Sequence, residues 1–283
     1  MSPINVTKAS GNQEPFDESK LRRSLKKAGA SKDIIDHISE SINNLLVEGI
    51  STRKIYKEAF RLLRSESRKV AGRYKLKEAI FELGPEGFHF EKFVAEILNM
   101  LGYTTSIGEV VKGECVNHEI DVIASTESEY LLVECKFHNR KENICNIKVP
   151  LYIQSRYLDV RDTWSKQQGH KHKNHKGMLA TNTRFSEDAI TYAECMGLKL
   201  LSWDYPEDAG IRELITKLNL HPITSLSSLS SAEKKLLLKE EVLFCKQICL
   251  NKNVLERDGI DSGKINRIFR EAREICNNSQ NPK

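Results

Sequence analysis

Two short apolar runs flank a polar turn near the middle of the chain. Residues 120–124 and 130–137 are rich in β-branched, aromatic and other apolar residues, and the five residues between them are polar. Runs of this length, separated by a polar turn, are typical of a β-hairpin. We therefore predict that the two stretches pair as adjacent antiparallel strands.

Charged residues inside this hairpin point to chemistry. Glu134 and Lys136 would share one strand face, and Asp121 could lie beside Glu134 on that face. Adjacent carboxylates repel, and a divalent cation such as Mg²⁺ relieves the conflict, while a nearby lysine could orient water or stabilise a phosphate. The alternative is a solvated surface hairpin, which the apolar flanks disfavour. Glu109 and Glu114, before the hairpin, are predicted as loop charges.

Helical periodicity dominates the N-terminal part of the chain. Residues 4–8 and 14–16 predict a short pair of strands, and Asp17 predicts the cap of the first of four helices, which end at Gly84. A helix over 86–101 then leads towards the hairpin.

Strands and helices alternate beyond the hairpin. Residues 147–168 predict a long helix that carries Gln154, and residues 168–176, with three histidines, predict a mobile basic loop that could contact DNA. The alternation continues to about residue 218 and predicts an α/β layer with a mixed central sheet. Residues 222–231 are Ser-rich and predict a linker, after which amphipathic helices follow.

The net charge of +5 is unevenly spread along the 283 residues. Residues 1–84 carry 17 Lys and Arg against 11 Asp and Glu, residues 85–221 carry 16 against 20, and residues 222–283 carry 11 against 8. The acidic segment is the one that contains the hairpin, which suits a site that concentrates metal ions. Its basic neighbours could hold phosphate, although solvated faces would give the same counts.

The cysteines and the apolar runs indicate the compartment. Seven scattered cysteines form no C-x-x-C pair, which argues against a disulfide framework or a zinc site and fits a reducing cytosol. Apolar runs fall short of the roughly 20 residues of a membrane span, and the N-terminus lacks a signal pattern. We expect a cytoplasmic protein without a membrane partner.

The order Asp121, Glu134, Lys136 resembles the catalytic hairpin of the PD-(D/E)xK nuclease superfamily, in its Mrr-like restriction endonuclease branch. The likeness extends from Gly84 to about Leu218 and implies a restriction-endonuclease-like α/β core. It implies that Asp121 and Glu134 bind Mg²⁺ or Mn²⁺ and that Lys136 is catalytic.

Two further residues match this family. Glu91, within Gly-Phe-His-Phe-Glu-Lys-Phe, resembles an acidic residue on the opening helix that supports the metal. Gln154 resembles the glutamine on the helix after the E-x-K strand. The sequence departs from the family at 117–119, where Asn-His-Glu replaces a Gly-rich approach to the aspartate.

The first 84 residues resemble an ATP-cone, the nucleotide-sensing domain of ribonucleotide reductases and of the reductase repressor. The resemblance implies binding of ATP or dATP by Lys8, Glu14, Lys20 and Thr52. The usual K-R-D-G turn is Lys-Ala-Ser-Gly at 8–11, without the arginine and the aspartate.

These features predict three domains. They are a mostly helical ATP-cone-like domain with a short hairpin at 1–84, a nuclease domain at 85–221, and a small helical region at 222–283 for DNA binding or oligomerisation. We expect a metal-dependent DNA endonuclease that hydrolyses phosphodiester bonds, is regulated by ATP or dATP, and forms a homo-oligomer. A role in restriction of foreign DNA is an extrapolation from the resemblance.

A second hypothesis comes from another functional class. The chain could be a nucleotide-responsive DNA-binding regulator whose nuclease fold is catalytically idle. The presence of Asp121, Glu134 and Lys136 together argues against it, because an idle site has no need for all three. The sequence does not exclude RNA or a branched junction as the substrate.

Overall fold

The computed structural model describes residues 4–8, 11–84, 87–168, 170–256 and 260–276, without the side chain of Lys69. The chain divides into two compact units. One unit combines the residues up to 79 with those from 222 onward, and the other contains residues 80–221. The three segments predicted from the sequence thus occupy two units.

The N-terminal part of the first unit is a small sheet packed with helices. Its elements, in chain order, are β1 (Asn5–Thr7), β2 (Gln13–Pro15), α1 (Glu18–Lys27), α2 (Lys32–Leu45), β3 (Ile50–Ser51), α3 (Thr52–Glu66), α4 (Arg68–Tyr74) and α5 (Leu76–Phe81), the last of which extends into the second unit. Strand β1 pairs antiparallel with β2 and parallel with β3. Caps define the helix starts, since Asp17 accepts the N–H of Ser19 and Ser51 accepts that of Lys54.

The second unit is the α/β core. Its elements, in chain order, are α6 (Phe88–Met100), β4 (Thr104–Lys112), β5 (Asn117–Ser125), β6 (Glu129–Lys136), β7 (Ile144–Cys145), α7 (Lys148–Trp164), β8 (Asn174–Thr181), β9 (Arg184–Phe185), α8 (Glu187–Met196), β10 (Lys199–Leu201) and α9 (Ile211–Lys217). The main sheet has the order β10-β8-β6-β5-β4. Strands β4, β5 and β6 pair antiparallel, whereas β6, β8 and β10 pair parallel.

This arrangement confirms the predicted mixed sheet with flanking helices. It also corrects the prediction that Glu109 lies in a loop, because Glu109 is part of β4 and pairs with Ile120. Helix α6 contacts β4, β5 and β6 through buried Phe90, Phe93 and Val94. Burial of these apolar side chains fixes the helix that carries Glu91 against the sheet.

The C-terminal part belongs to the first unit. A 3₁₀ turn over Ile223–Ser225 precedes α10 (Ser231–Lys239), α11 (Cys245–Leu250) and α12 (Ser262–Cys276). Helix α12 packs on α4 so closely that a Cβ at Gly72 would lie 2.9 Å from Cδ1 of Ile275. A larger side chain at this crossing would therefore require Cδ1 of Ile275 to shift.

The prediction of a linker at 222–231 is wrong. Residues 222–226 are buried, and Leu229 is buried as well. The buried carboxylate of Glu271 accepts hydrogen bonds from the backbone N–H and hydroxyl of Ser227, both at 2.7 Å, and from the N–H of Ser228 at 2.9 Å. Ser227 and Ser228 are thus hydrogen-bonded inside the unit.

Among the described residues, none of the helices is long and apolar enough to cross a membrane.

Candidate active site

Strands β5 and β6 separate at the predicted site. Their antiparallel pairing runs from Ser125 opposite Tyr130 to Val122 opposite Val133. Beyond that pair, β5 stays paired with β4, and β6 stays paired with β8 as far as Lys136. Asp121 and Glu134 occupy the next positions on the two strands, so the strands diverge where the predicted metal ligands lie.

Asp121 is fixed by a backbone hydrogen bond across this opening. Its Oδ2 accepts the N–H of Cys135, with 2.6 Å between the two atoms. The side chain is half-buried, and burial raises the pKa of Asp121 above its ordinary value. One carboxylate oxygen of Asp121 therefore bridges the two strands.

Glu134 pairs with an arginine that the sequence reasoning missed. Its Oε2 lies 2.5 Å from Nη1 of Arg156 on α7, and the two side chains are 22% and 15% exposed. The same guanidinium donates to the carbonyl oxygen of Glu119 on β5. Burial, followed by the charge of Asp121, raises the pKa of Glu134 to about 7, and Arg156 opposes the shift.

Glu91 interacts electrostatically with Asp121 and Glu119. It lies in the first turn of α6, and burial, with the charges of Asp121 and Glu119, raises its pKa to about 7. Lys136, exposed at the end of β6, carries the opposite charge and lowers the pKa of Asp121 and Glu134, against the larger effect of burial. The site thus concentrates carboxylates that disfavour one another's ionised form, a pattern typical of functional sites.

The donor chemistry fits a hard divalent cation. Asp121 and Glu134 offer carboxylate oxygens, and the buried Gln154 on α7 has an Oε1 without a hydrogen-bond partner in the described chain. Within those residues, no three or more His, Cys, Asp or Glu side chains form a cluster that could hold a metal ion. A hard divalent cation can bind through one or two carboxylates and keep several waters, so this sparse set of oxygen ligands fits such a cation.

The segment after Lys136 is anchored to the end of β8. The hydroxyl of Thr181 donates to the carbonyl oxygen of Lys136 at 2.7 Å. The buried Asn182 accepts the N–H of His138 at 2.8 Å and donates to its carbonyl oxygen at 2.9 Å. These bonds fix the backbone that presents Lys136 at the mouth of the opened strands.

The histidine-rich stretch packs against aromatic side chains of the α/β core. The ring of His170 stacks on Tyr130 with 4.3 Å between centroids, and Trp164 meets His170 edge-on at 5.0 Å. His175 packs against Tyr130, and its carbonyl oxygen accepts the hydroxyl of Tyr157. The prediction of a mobile basic loop is therefore wrong for His170 and His175.

The predicted nucleotide-binding residues lie at one end of the small sheet in the first unit. The ammonium of Lys8 lies 2.5 Å from Oε2 of Glu14, and that of Lys20 lies 3.6 Å from Oε1. The hydrogen bond from Lys8 lowers the pKa of Glu14. Thr52 begins α3 and follows the last paired residue of β3, next to the end of β1. Ala9 and Ser10 of the predicted turn lie outside the described residues.

Models of three protein families match the chain. A model described as AF1548-like, C-terminal, matches residues 221–276, a restriction endonuclease model of the Mrr type matches residues 85–205, and an ATP-cone model matches residues 4–77. An uncharacterized protein of Archaeoglobus fulgidus is 33% identical over 183 residues, which are 64% of this chain and 99% of that protein. The chain belongs to the AF1548-like family.

This AF1548-like protein contains a Mrr-type restriction-endonuclease domain and an N-terminal ATP-cone domain. It is also similar to the crystal structure of AF1548, a protein of unknown function, with a TM-score of 0.54 and 32% identity. That similarity covers 67% of this chain and 98% of the AF1548 chain. These matches confirm the two family resemblances and the predicted fold.

Proposed function

We propose that this AF1548-like protein is a metal-dependent DNA endonuclease whose activity is regulated by ATP or dATP. The observation that carries the proposal is the divergence of β5 and β6 at Asp121 and Glu134. It places two carboxylates at the mouth of the opened strands, with Lys136 on the same strand as Glu134. The restriction-endonuclease domain supports hydrolysis of a phosphodiester as the reaction.

The roles of the individual residues are those that the family resemblance implies. Asp121 and Glu134 hold the cation, Glu91 supports it through water, and Gln154 orients a group at the site. A bound Mg²⁺ or Mn²⁺ supplies a Lewis acid for the phosphate charge and a more acidic water. Lys136 donates hydrogen bonds to the attacking water or to the phosphate, which positions the nucleophile and stabilises the developing charge.

The ATP-cone domain is the regulatory part of the proposal. Lys8 and Lys20 converge on Glu14, and the N-terminus of α3 adds a favourable field for phosphate. The simplest coupling is a change in homo-oligomeric state, which requires that the nucleotide bind the two states with different affinity. We propose that the protein acts in the cytoplasm, where it restricts foreign DNA.

A substrate panel tests the activity. Supercoiled plasmid, linear duplex, single strands, RNA and a branched junction are incubated with Mg²⁺, with and without ATP or dATP. The wild type should cleave at least one DNA, Asp121→Asn should not, and Asp188→Asn, an exposed control on α8, should cleave like the wild type. Failure of the wild type on every DNA, with any metal and nucleotide, refutes the proposal.

One observation favours the idle regulator as a second candidate. Arg156 neutralises Glu134 in this structure, as a permanent ion pair in a non-catalytic site would. That candidate predicts nucleotide-dependent DNA binding without cleavage, and no change in affinity for Mn²⁺ on Asp121→Ala. Calorimetric titration with Mn²⁺ separates the two functions, since the nuclease proposal requires that Asp121→Ala lose the metal.

A further inference from the structure

Arg156 lies at the mouth of the opened strands and contacts both of them. Its guanidinium binds the carboxylate of Glu134 on β6 and the backbone carbonyl of Glu119 on β5. The side chain is 15% exposed, and its guanidinium carbon lies 5.6 Å from the ring centre of Tyr152. A positively charged side chain thus pairs with Glu134.

Two cavities meet at this side chain. The smaller one is also lined by Glu134 and Ile153. The larger one, an open groove of about 790 Å³, runs beside Tyr152 and Ser155. Arg156 lines both cavities, so this side chain borders open space beside Glu134.

We propose that Arg156 is a phosphate-binding residue that rests on Glu134 until a divalent cation takes that carboxylate. The proposal deepens the nuclease function and rests on it. Glu134 faces the charge of Asp121, and Arg156 supplies a counter-charge through its ion pair with Glu134. A metal ion takes over this role, and the guanidinium, which stays charged at any working pH, then requires another anion.

The scissile phosphate is the anion that arrives at this place. Guanidinium groups bind phosphate through two parallel N–H donors, with a geometry that matches its oxygens. When the metal replaces Arg156 on Glu134 and the phosphate replaces Glu134 on Arg156, neither Glu134 nor Arg156 is left as an unpaired buried charge. It also links substrate binding to metal binding, because Arg156 is released for the phosphate only when Glu134 holds the cation.

The test measures metal affinity without DNA. Calorimetric titration with Mn²⁺ compares the wild type with Arg156→Ala, Arg156→Lys and the control Arg161→Ala, an arginine of the same helix that pairs with exposed Asp162. Arg156→Ala should bind Mn²⁺ about fivefold tighter, because the competing ion pair is gone. Arg156→Lys should fall between it and the wild type, and Arg161→Ala should match the wild type.

Cleavage gives the second readout. At saturating Mn²⁺, kcat/KM of Arg156→Ala should fall at least about tenfold through a lost phosphate contact. Unchanged or weaker Mn²⁺ binding in Arg156→Ala overturns the inference, because it would make Arg156 a support of Glu134. If Arg156→Ala gives this result and the wild type still cleaves DNA, only the inference about Arg156 fails and the nuclease function stands. If neither protein binds Mn²⁺, the inference and the nuclease function fail together.

Discussion

The carboxylate of Asp121 accepts a hydrogen bond from the backbone N–H of Cys135, with 2.6 Å between Oδ2 and the nitrogen. Asp121 lies one position beyond the last paired residue of β5, and Cys135 lies two positions beyond that of β6. A side chain therefore bridges the strands where the backbone ladder stops. Asp121 thus has a structural role besides the metal-binding role proposed for it, and mutation can separate the two.

Asp121→Asn and Asp121→Ala should separate those tasks. Both variants are neutral, so both should lose Mn²⁺ affinity. Only the asparagine keeps an acceptor for the N–H of Cys135, so the alanine variant should be less stable than the asparagine variant by about 1 kcal/mol. Denaturant unfolding measures the difference, and equal stability of the two variants would show that the bond contributes nothing.

Metal affinity should depend on pH near neutrality. Burial and the charge of Asp121 raise the pKa of Glu134 to about 7, so below that pH the metal must displace a proton from this carboxylate. The affinity for Mn²⁺ should therefore fall by up to about tenfold per pH unit below 7 and level off above about pH 8. Calorimetry between pH 5.5 and pH 8.5, values chosen as roughly one unit and more on either side of that pKa, measures this profile. A profile that is flat across this range would contradict the assignment of Glu134 as a ligand.

Nucleotide binding should depend on Lys8. Its ammonium lies 2.5 Å from Glu14 at the end of the small sheet, beside the start of α3. Lys8→Ala removes a charge that would face the phosphates, and the affinity for ATP or dATP should fall about tenfold. Lys26→Ala, an exposed lysine in the last turn of α1, is the matched control. Equal affinity of the two variants would place the nucleotide elsewhere.

Glu271 should matter for the stability of the first unit. Its buried carboxylate accepts the N–H groups of Ser227 and Ser228 and the hydroxyl of Ser227. Glu271→Ala leaves these donors without their acceptor and should lower the free energy of unfolding by about 2–3 kcal/mol. Glu274→Ala, exposed on the same helix, should change it by less than about 0.5 kcal/mol. A similar effect of both variants would refute the anchoring role of Glu271.

The parts of the fold that local pattern determines could be predicted. The apolar runs of β5 and β6 and the short polar turn between them determine their pairing, and this register brings Asp121 next to Glu134. Strand β4 was missed because seven of its nine residues, among them Glu109, Val110 and Lys112, are polar or exposed and show no clear apolar alternation. A strand of this kind forms because its neighbour provides the pairing, and a local pattern cannot show that.

Long-range contacts explain the other misses. Arg156 lies on a helix far along the chain from Glu134, and nothing in its local sequence indicates which carboxylate it meets. The serines at 222–231 have the composition of a linker, and only Glu271, more than 40 residues away, reveals that they are buried. His170 and His175 have the composition of a solvated loop, and their packing depends on Tyr130 from another strand.

The most direct test of the nuclease site is a paired measurement on Lys136→Ala. Lys136 is assigned to catalysis and not to metal binding. The variant should therefore bind Mn²⁺ like the wild type, and its rate of plasmid cleavage should fall at least about a hundredfold. Lys166→Ala, exposed beyond the end of α7, should keep both properties. A wild type that binds metal but does not cleave, or a Lys136→Ala variant that cleaves at the wild-type rate, would contradict the account.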